Sequence, residues 1–116
     1  MGRKSPEHDL QVAIVDALRA HCPFLFWHTP NGGKRGIKTA VRLKKEGVLP
    51  GVPDIQIMLP NRSAFLELKA KRGRLTDSQI AFRQSAQAAG HWWEVAYSFD
   101  EAWAVLERWN CLPKRA

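Results

Sequence analysis

The sequence predicts an α/β fold in which helices flank a central mixed β-sheet. Helical and strand-like segments follow one another in the order helix, strand, helix, strand, strand, helix, strand, helix. Two apolar strands near the middle are joined by a tight turn, and two of the helices begin with capping-box patterns. Elements in this order build a sheet covered by helices. With 116 residues, we expect residues 1–116 to form one domain.

The first half of the chain contributes two helices and a strand. Ser5 and Pro6 have the residue types of an N-cap and a first helical position, and apolar residues then recur every four positions. Glu7 lies on the same face as this apolar stripe, where it is either a partner of the helix dipole or a group that points into a site. FLFWH predicts the first strand, and TAVRLKKEG predicts a short helix ended by Gly47. The glycine-rich basic loop PNGGKRGIK between them lacks P-loop spacing and is interpreted as a backbone clamp.

The second half contributes two more helices and a strand. Thr76 and Gln79 have capping-box spacing at the start of LTDSQIAFRQSAQAAG. HWWEVAYS has the composition of a strand. Ser98 and Glu101 repeat the capping-box spacing and predict that DEAWAVLERW forms the last helix.

The hairpin can be placed in register from its apolar residues. Alternating apolar residues occupy one face of both strands, and the register predicted for them pairs 59 with 64, 57 with 66 and 55 with 68. The turn is then expected at Pro60 to Ser63. These six residues are Ile55, Ile57, Leu59, Ala64, Leu66 and Leu68.

The opposite face of the hairpin carries charged and polar side chains. Asp54, Gln56, Glu67 and Lys69 lie there, with Asp54 predicted to face Lys69 and Glu67 on the diagonal, about 7 Å away. Two interpretations remain open. The two carboxylates could hold Mg²⁺ or Mn²⁺, ions that prefer oxygen ligands. Alternatively, Asp54 and Lys69 form a cross-strand salt bridge and Glu67 is solvated.

The positive charge of the chain is concentrated in one segment. The net charge is +7, and the segment from Lys34 to Arg74 contains eleven Lys or Arg but only three acidic residues. Such a segment is typical of a nucleic-acid binder, although a solvated basic face would have the same composition.

Other functional classes have little support in the sequence. No apolar run is long enough to span a membrane and the first ten residues are polar, so we expect neither a membrane protein nor a secreted one and place the chain in the cytoplasm of a bacterial or phage-infected cell. Cys22 and Cys111 are far apart and show no metal-knuckle spacing, which favours two reduced thiols over a disulfide or a zinc site.

The charged hairpin and its flanking motifs resemble a known nuclease family. Pro53-Asp54 followed by Glu67-Leu68-Lys69 is the pattern of the PD-(D/E)xK nucleases. Glu7, the NGG loop at 31–33, GVPD at 51–54, ELK at 67–69 and Gln79 together resemble the VRR-NUC branch, the virus-type replication and repair nucleases, in its stand-alone phage and bacterial form. The resemblance implies a restriction-endonuclease-like sandwich.

The resemblance also implies a chemistry, the metal-dependent hydrolysis of DNA phosphodiesters with Mg²⁺ or Mn²⁺. Asp54, Glu67 and the backbone carbonyl of Leu68 would bind the ion, and Glu7 would add a ligand directly or through water. Lys69 would orient the attacking water and stabilise negative charge. Gln79 would orient that lysine or a phosphate.

The expected substrate is branched DNA, cut by a homodimer as in Holliday-junction resolution. The tryptophans near the C-terminal end (Trp92, Trp93, Trp103 and Trp109) belong either to the core or to a dimer interface. A flap-cutting or exonucleolytic DNA repair nuclease and a non-catalytic DNA-binding module remain alternatives. The candidate contacts to the DNA backbone are Lys34, Arg35, Lys38, Arg42, Lys44, Lys45, Lys71, Arg72 and Arg74.

Overall fold

A computed structural model describes residues 6–30 and 36–115, which contain four helices and four strands in the predicted order. The fold class, a mixed sheet flanked by helices, is confirmed. Ser5, the NGG loop, Lys34 and Arg35 lie outside the described residues. The helices are α1 (Pro6–His21), α2 (Ile37–Lys45), α3 (Asp77–Ala88) and α4 (Phe99–Arg108), and the strands are β1 (Leu25–His28), β2 (Ile55–Met58), β3 (Ser63–Leu68) and β4 (Trp92–Ala96).

The four strands form one sheet in the order β1-β2-β3-β4. β1 pairs with β2 and β2 with β3 in antiparallel fashion, whereas β3 and β4 are parallel. The parallel pair requires a crossover, which α3 provides. The carboxyl ends of β3 and β4 therefore lie side by side, at the same end of the sheet as the start of the antiparallel strand β2.

The predicted register of the hairpin is wrong by two residues. Ile55 pairs with Leu66 and Ile57 with Ala64. The Leu59 N–H donates to the Arg62 carbonyl at 2.9 Å, so the turn has two residues between these positions instead of four. Since side chains alternate with a period of two, a shift of two residues keeps each side chain on its predicted face.

The two faces of the sheet have different covers. α1 and α4 pack together on one face, where the six predicted apolar residues of the hairpin are buried. On the other face α3 covers Phe65 of β3 and Trp93 of β4. Leu25 and Met58, a cross-strand pair, lie on this second face at its uncovered end and are 64% and 52% exposed.

The helix ends mostly follow their predicted signals. Thr76 and Gln79 form the complete capping box at α3. At α4 the Ser98 side chain accepts from the Glu101 N–H, but the Glu101 carboxylate accepts from Tyr97 N–H, so the second box is incomplete. α2 begins two residues before the predicted start and ends at Lys45, two residues before Gly47, whose φ is +99°. It has no buried residue.

The cysteines and the tryptophans near the C-terminal end differ in burial. Cys22 is partly buried and Cys111 is buried, and both are free thiols as predicted. Trp93 and Trp109 belong to the core, whereas Trp92 is 38% exposed. No helix in the described part of the chain is long and apolar enough to cross a membrane.

Candidate functional site

The predicted catalytic and metal-binding residues meet in one pocket of about 380 Å³. The pocket lies where the start of β2 and the end of β3 meet the N-terminal parts of α1 and α3. A slightly larger groove of about 450 Å³ beside α3 is mostly apolar and brings no carboxylates together. The residues that line the first pocket are Glu7, His8, Gln11, His28, Pro30, Asp54, Glu67, Leu68, Lys69 and Gln79.

Asp54 is held against the end of β3 by its side chain and by its backbone. Its Oδ2 accepts from the Leu68 N–H at 2.7 Å. Its carbonyl accepts from the Thr29 N–H at 3.0 Å and lies 2.7 Å from His28 Nδ1. Because a carbonyl can only accept, Nδ1 of His28 must carry the hydrogen, which leaves Nε2 without one in the neutral ring.

The corrected register changes the neighbour of Asp54. Continued by one residue beyond Ile55 and Leu66, it places Asp54 opposite Glu67 and not opposite Lys69. The prediction that Asp54 faces Lys69 is therefore wrong, and so is the alternative in which Glu67 is solvated. Instead, Lys69 Nζ lies 3.9 Å from Glu67 Oε2.

Glu67 is the one charged residue that is buried in the described part of the chain, with 4% of its surface exposed. Its Oε2 accepts a hydrogen bond of 3.0 Å from Gln79 Nε2. Its Oε1 is buried without any hydrogen-bond partner. An unpartnered carboxylate oxygen inside a protein is costly unless a cation or a proton satisfies it.

The pKa values of the two facing carboxyl groups are both raised. Burial raises the pKa of Asp54, although the Leu68 N–H opposes this effect. Burial and the negative charge of Asp54 raise the pKa of Glu67 to about 8, against the opposing charge of Lys69. Two carboxylates this close and this buried therefore favour binding a positive charge between them.

Gln79 contacts Glu67 and not the lysine. Its Oε1 accepts from the Thr76 N–H at 2.9 Å, which turns its Nε2 toward Glu67. The capping box of α3 thus also fixes the orientation of the Glu67 carboxylate. Of the two roles predicted for Gln79, the contact with Lys69 is not what the structure shows, and the contact with a phosphate stays a prediction.

Gly51 brings the loop before Asp54 against the start of α3. A Cβ at this glycine would lie 2.4 Å from the backbone carbon and oxygen of Ser78 and 2.8 Å from the Gln79 nitrogen. Its φ of +85° adds a second reason for glycine at this position. The close approach holds the segment that carries Asp54 next to the helix that carries Gln79.

Glu7 belongs to the site, which decides between the two interpretations of its position. It lines the pocket, and its Oε1 accepts from the Ala70 N–H at 3.1 Å. In the described residues no three His, Cys, Asp or Glu side chains converge into a metal cage. Glu7 is thus near Asp54 and Glu67 without joining them directly.

The described residues predicted to contact the DNA backbone form two groups. Lys38, Arg42, Lys44 and Lys45 are exposed on α2, where Arg42 forms an ion pair of 3.1 Å with Glu46. Lys71, Arg72 and Arg74 are exposed in the segment that leads from Lys69 to α3. The sequence prediction placed Lys34 and Arg35 with them, and both lie outside the described residues.

Besides Pro30, three polar residues of the pocket were not predicted from the sequence: His8, Gln11 and His28. Gln11 follows Glu7 by four positions on a helix, so helical spacing could have identified it. His28 could be identified only from the pairing of β1 with β2, which brings its ring to the Asp54 carbonyl.

Comparisons with known proteins agree with this geometry. The family model of the VRR-NUC domain matches residues 5–100. A solved structure described as a VRR_NUC domain protein superposes with a TM-score of 0.73 at 19% sequence identity, over 96% of this chain and 93% of that one. A search of curated proteins finds no match.

Proposed function

This chain belongs to the VRR-NUC domain family of nuclease-type, DNA-processing domains, and from this premise we propose that it is a metal-dependent, structure-selective DNA endonuclease. The observation that carries the proposal is that Asp54 lies opposite the buried Glu67, with an orphaned oxygen on Glu67 and a lysine beside it. The exposed cations on α2 and after Lys69 would add contacts to the phosphates of the DNA.

The donor set fits Mg²⁺ or Mn²⁺. Asp54 and Glu67 would bind the ion together with the Leu68 carbonyl, and Glu7 would contribute through a water molecule. Hard divalent cations accept one or two carboxylates and keep several waters, so the absence of a third converging side chain among the described residues suits them. The chemistry such an ion supplies is a lowered pKa of bound water and neutralisation of the phosphate charge.

The protein's own side chains have distinct tasks in this proposal. Lys69 stabilises the negative charge that develops on the phosphate oxygens and orients the attacking water. Its Nζ lies 3.9 Å from Glu67 Oε2, beside the carboxyl groups that would hold the ion, and we assign it this electrostatic role and not that of a general base. Gln79 holds Glu67 in place through its 3.0 Å hydrogen bond.

The DNA is bound through its backbone. The exposed cations on α2 and after Lys69 would contact phosphates without reading bases, which suits an enzyme that recognises shape. Arg42 is partly neutralised by Glu46, so Lys44 and Lys45 are the stronger candidates on α2.

A homodimer that cuts branched DNA, such as a four-way junction, is the proposed assembly. Leu25, Trp27 and Met58 form an exposed apolar patch on the half of the sheet that α3 leaves uncovered. Exposed apolar patches of this kind commonly mark interfaces. In a symmetric dimer two equal sites would cut two strands.

The test is a cleavage assay on a labelled four-way junction, a flap and a linear duplex, with Mg²⁺, Mn²⁺ or EDTA. Wild type is compared with Asp54→Asn, Glu67→Gln and the control Glu94→Gln, which makes the same chemical change outside the pocket. We expect paired nicks in the junction that both EDTA and the first two variants abolish. Turnover retained by Asp54→Asn and Glu67→Gln would refute the metal assignment.

Other outcomes distinguish the alternatives. Metal-dependent cutting of the flap alone would keep the chemistry and replace the resolving activity with flap cleavage. Salt-sensitive DNA binding without cleavage under any condition would leave a binding module. The dimer is tested separately by light scattering on wild type and Met58→Lys, and a monomeric wild type would refute it.

A further inference from the structure

Two of the three buried, unpartnered side-chain atoms in the described chain belong to residues that line the same pocket. These atoms are Glu67 Oε1, Gln11 Nε2 and Trp93 Nε1, and only the tryptophan lies elsewhere. Glu67 Oε1 is an acceptor, which a cation would satisfy. Gln11 Nε2 is a donor, which only an acceptor can satisfy. Among the described residues, Glu67 Oε1 therefore has no donor or cation beside it, and Gln11 Nε2 has no acceptor.

Gln11 occupies its position because of the helix that carries it. It lies one turn after Glu7 on α1 and three residues before Ile14, which is fully buried. The helix backbone thus fixes it between the pocket and the core. A leucine or methionine here would fill the space without a polar group to satisfy, so the amide costs stability in the ligand-free protein.

We propose that Gln11 binds the phosphate group to be cleaved, with its Nε2 donating to a non-bridging oxygen of the phosphodiester. This inference rests on the function proposed above. A phosphate drawn to a cation at Asp54 and Glu67 brings an anionic oxygen into the pocket, and such an oxygen is a stronger acceptor than a water already bound to a cation. Gln11 and Lys69 would then contact the same phosphate as a neutral and a charged donor.

The experiment measures DNA affinity, cation affinity and stability in the same variants. Gln11→Leu and the unbranched Gln11→Met remove the donor, and Gln84→Leu makes the same change on the exposed surface of α3. DNA binding is measured with a labelled junction in Ca²⁺, which takes the same oxygen ligands, after checking that no cleavage occurs. Cation binding without DNA is measured by calorimetry with Mn²⁺.

The expected result is a DNA affinity about tenfold or more lower for both Gln11 variants, because a hydrogen bond to a charged group is lost. Their Mn²⁺ affinity without DNA should equal that of wild type, and their melting temperature should be equal or higher. Gln84→Leu should match wild type throughout.

Three results would overturn the proposal. Unchanged DNA affinity in both Gln11 variants would show that Nε2 does not contact the phosphate. A loss of Mn²⁺ affinity without DNA would assign the amide to the hydration shell of the cation instead. A lower melting temperature in both variants would make the residue structural. If wild type binds neither Mn²⁺ nor DNA, the proposed function fails as well, whereas a failure confined to the Gln11 variants leaves it standing.

Discussion

Glu67 should make the stability of the metal-free protein decrease as the pH rises. Its pKa is raised from 4.5 in the unfolded chain to about 8 in the folded protein, by burial and by the charge of Asp54. An acid with a raised pKa binds its proton more tightly when folded. The stabilising contribution of that proton is complete below pH 4.5 and is lost as the pH rises through about 8.

The size of this effect follows from proton linkage. Between those two pKa values the unfolded chain has released the proton and the folded protein keeps it. The free energy of unfolding should therefore decrease by about 1.4 kcal/mol per pH unit. Over the whole interval the decrease amounts to about 5 kcal/mol, which is a large part of the stability of an ordinary domain.

Urea unfolding in EDTA at about pH 5, 7 and 9 measures this dependence. Glutamine resembles the protonated acid, so Glu67→Gln should match wild type at about pH 5 and exceed it by several kcal/mol at about pH 9. The control Glu94→Gln should follow wild type at each pH. If the curves of wild type and Glu67→Gln stay parallel over this range, the side chain is not buried as a proton-binding acid and the reasoning is refuted.

Three further predictions concern the site and the DNA-binding surface. Gly51→Ala should weaken Mn²⁺ binding at least about tenfold, measured by calorimetry, because its Cβ would collide with the backbone of α3. The control Gly47→Ala has a similar φ and open space around it, and should lower the free energy of unfolding in urea by only about 1 kcal/mol. Equal Mn²⁺ affinities of Gly51→Ala and wild type would count against the close approach. Lys69→Ala should lower the single-turnover cleavage rate about 100-fold or more with Mn²⁺ affinity retained, and an unchanged rate would remove it from the chemistry. Replacing Lys44 and Lys45 with alanine should weaken binding to all DNA sequences alike and flatten its salt dependence, and a sequence-dependent loss would contradict backbone contacts.

The order of the helices and strands could be predicted from the sequence, and so could the face on which each hairpin side chain lies. The register of the hairpin could not. The alternation of Ile55, Ile57 and Leu66 with polar residues assigns each side chain to a face. It cannot distinguish registers that differ by two, because both bury the same residues. The choice depends on the two-residue turn after Leu59, and that choice decides whether Asp54 faces Lys69 or Glu67.

The contacts between segments were also beyond the sequence. Spacing identified Gln79 as a capping residue, but its second hydrogen bond, to Glu67, depends on where α3 docks against β3. The same holds for His28, which reaches the pocket through the pairing of β1 with β2. Glu7 was assigned to the site by the family resemblance. Gln11 follows it by four positions, so helical spacing alone places both residues on the same face of α1.

The two facing carboxyl groups lower the folding stability of the protein, and neighbouring residues hold them in place. Glu67 is buried, carries an orphaned oxygen and lies opposite another carboxylate, so it lowers folding stability at the place where the proposed chemistry would occur. Three neighbouring features hold this arrangement: the Leu68 N–H on Asp54, the Gln79 amide on Glu67, and the contact of Gly51 with α3. Near neutral pH a cation bound between the two groups would displace the proton on Glu67, and at higher pH it would remove the repulsion between the two charged carboxylates. Cation affinity should therefore increase with pH over the same interval in which the metal-free protein loses stability.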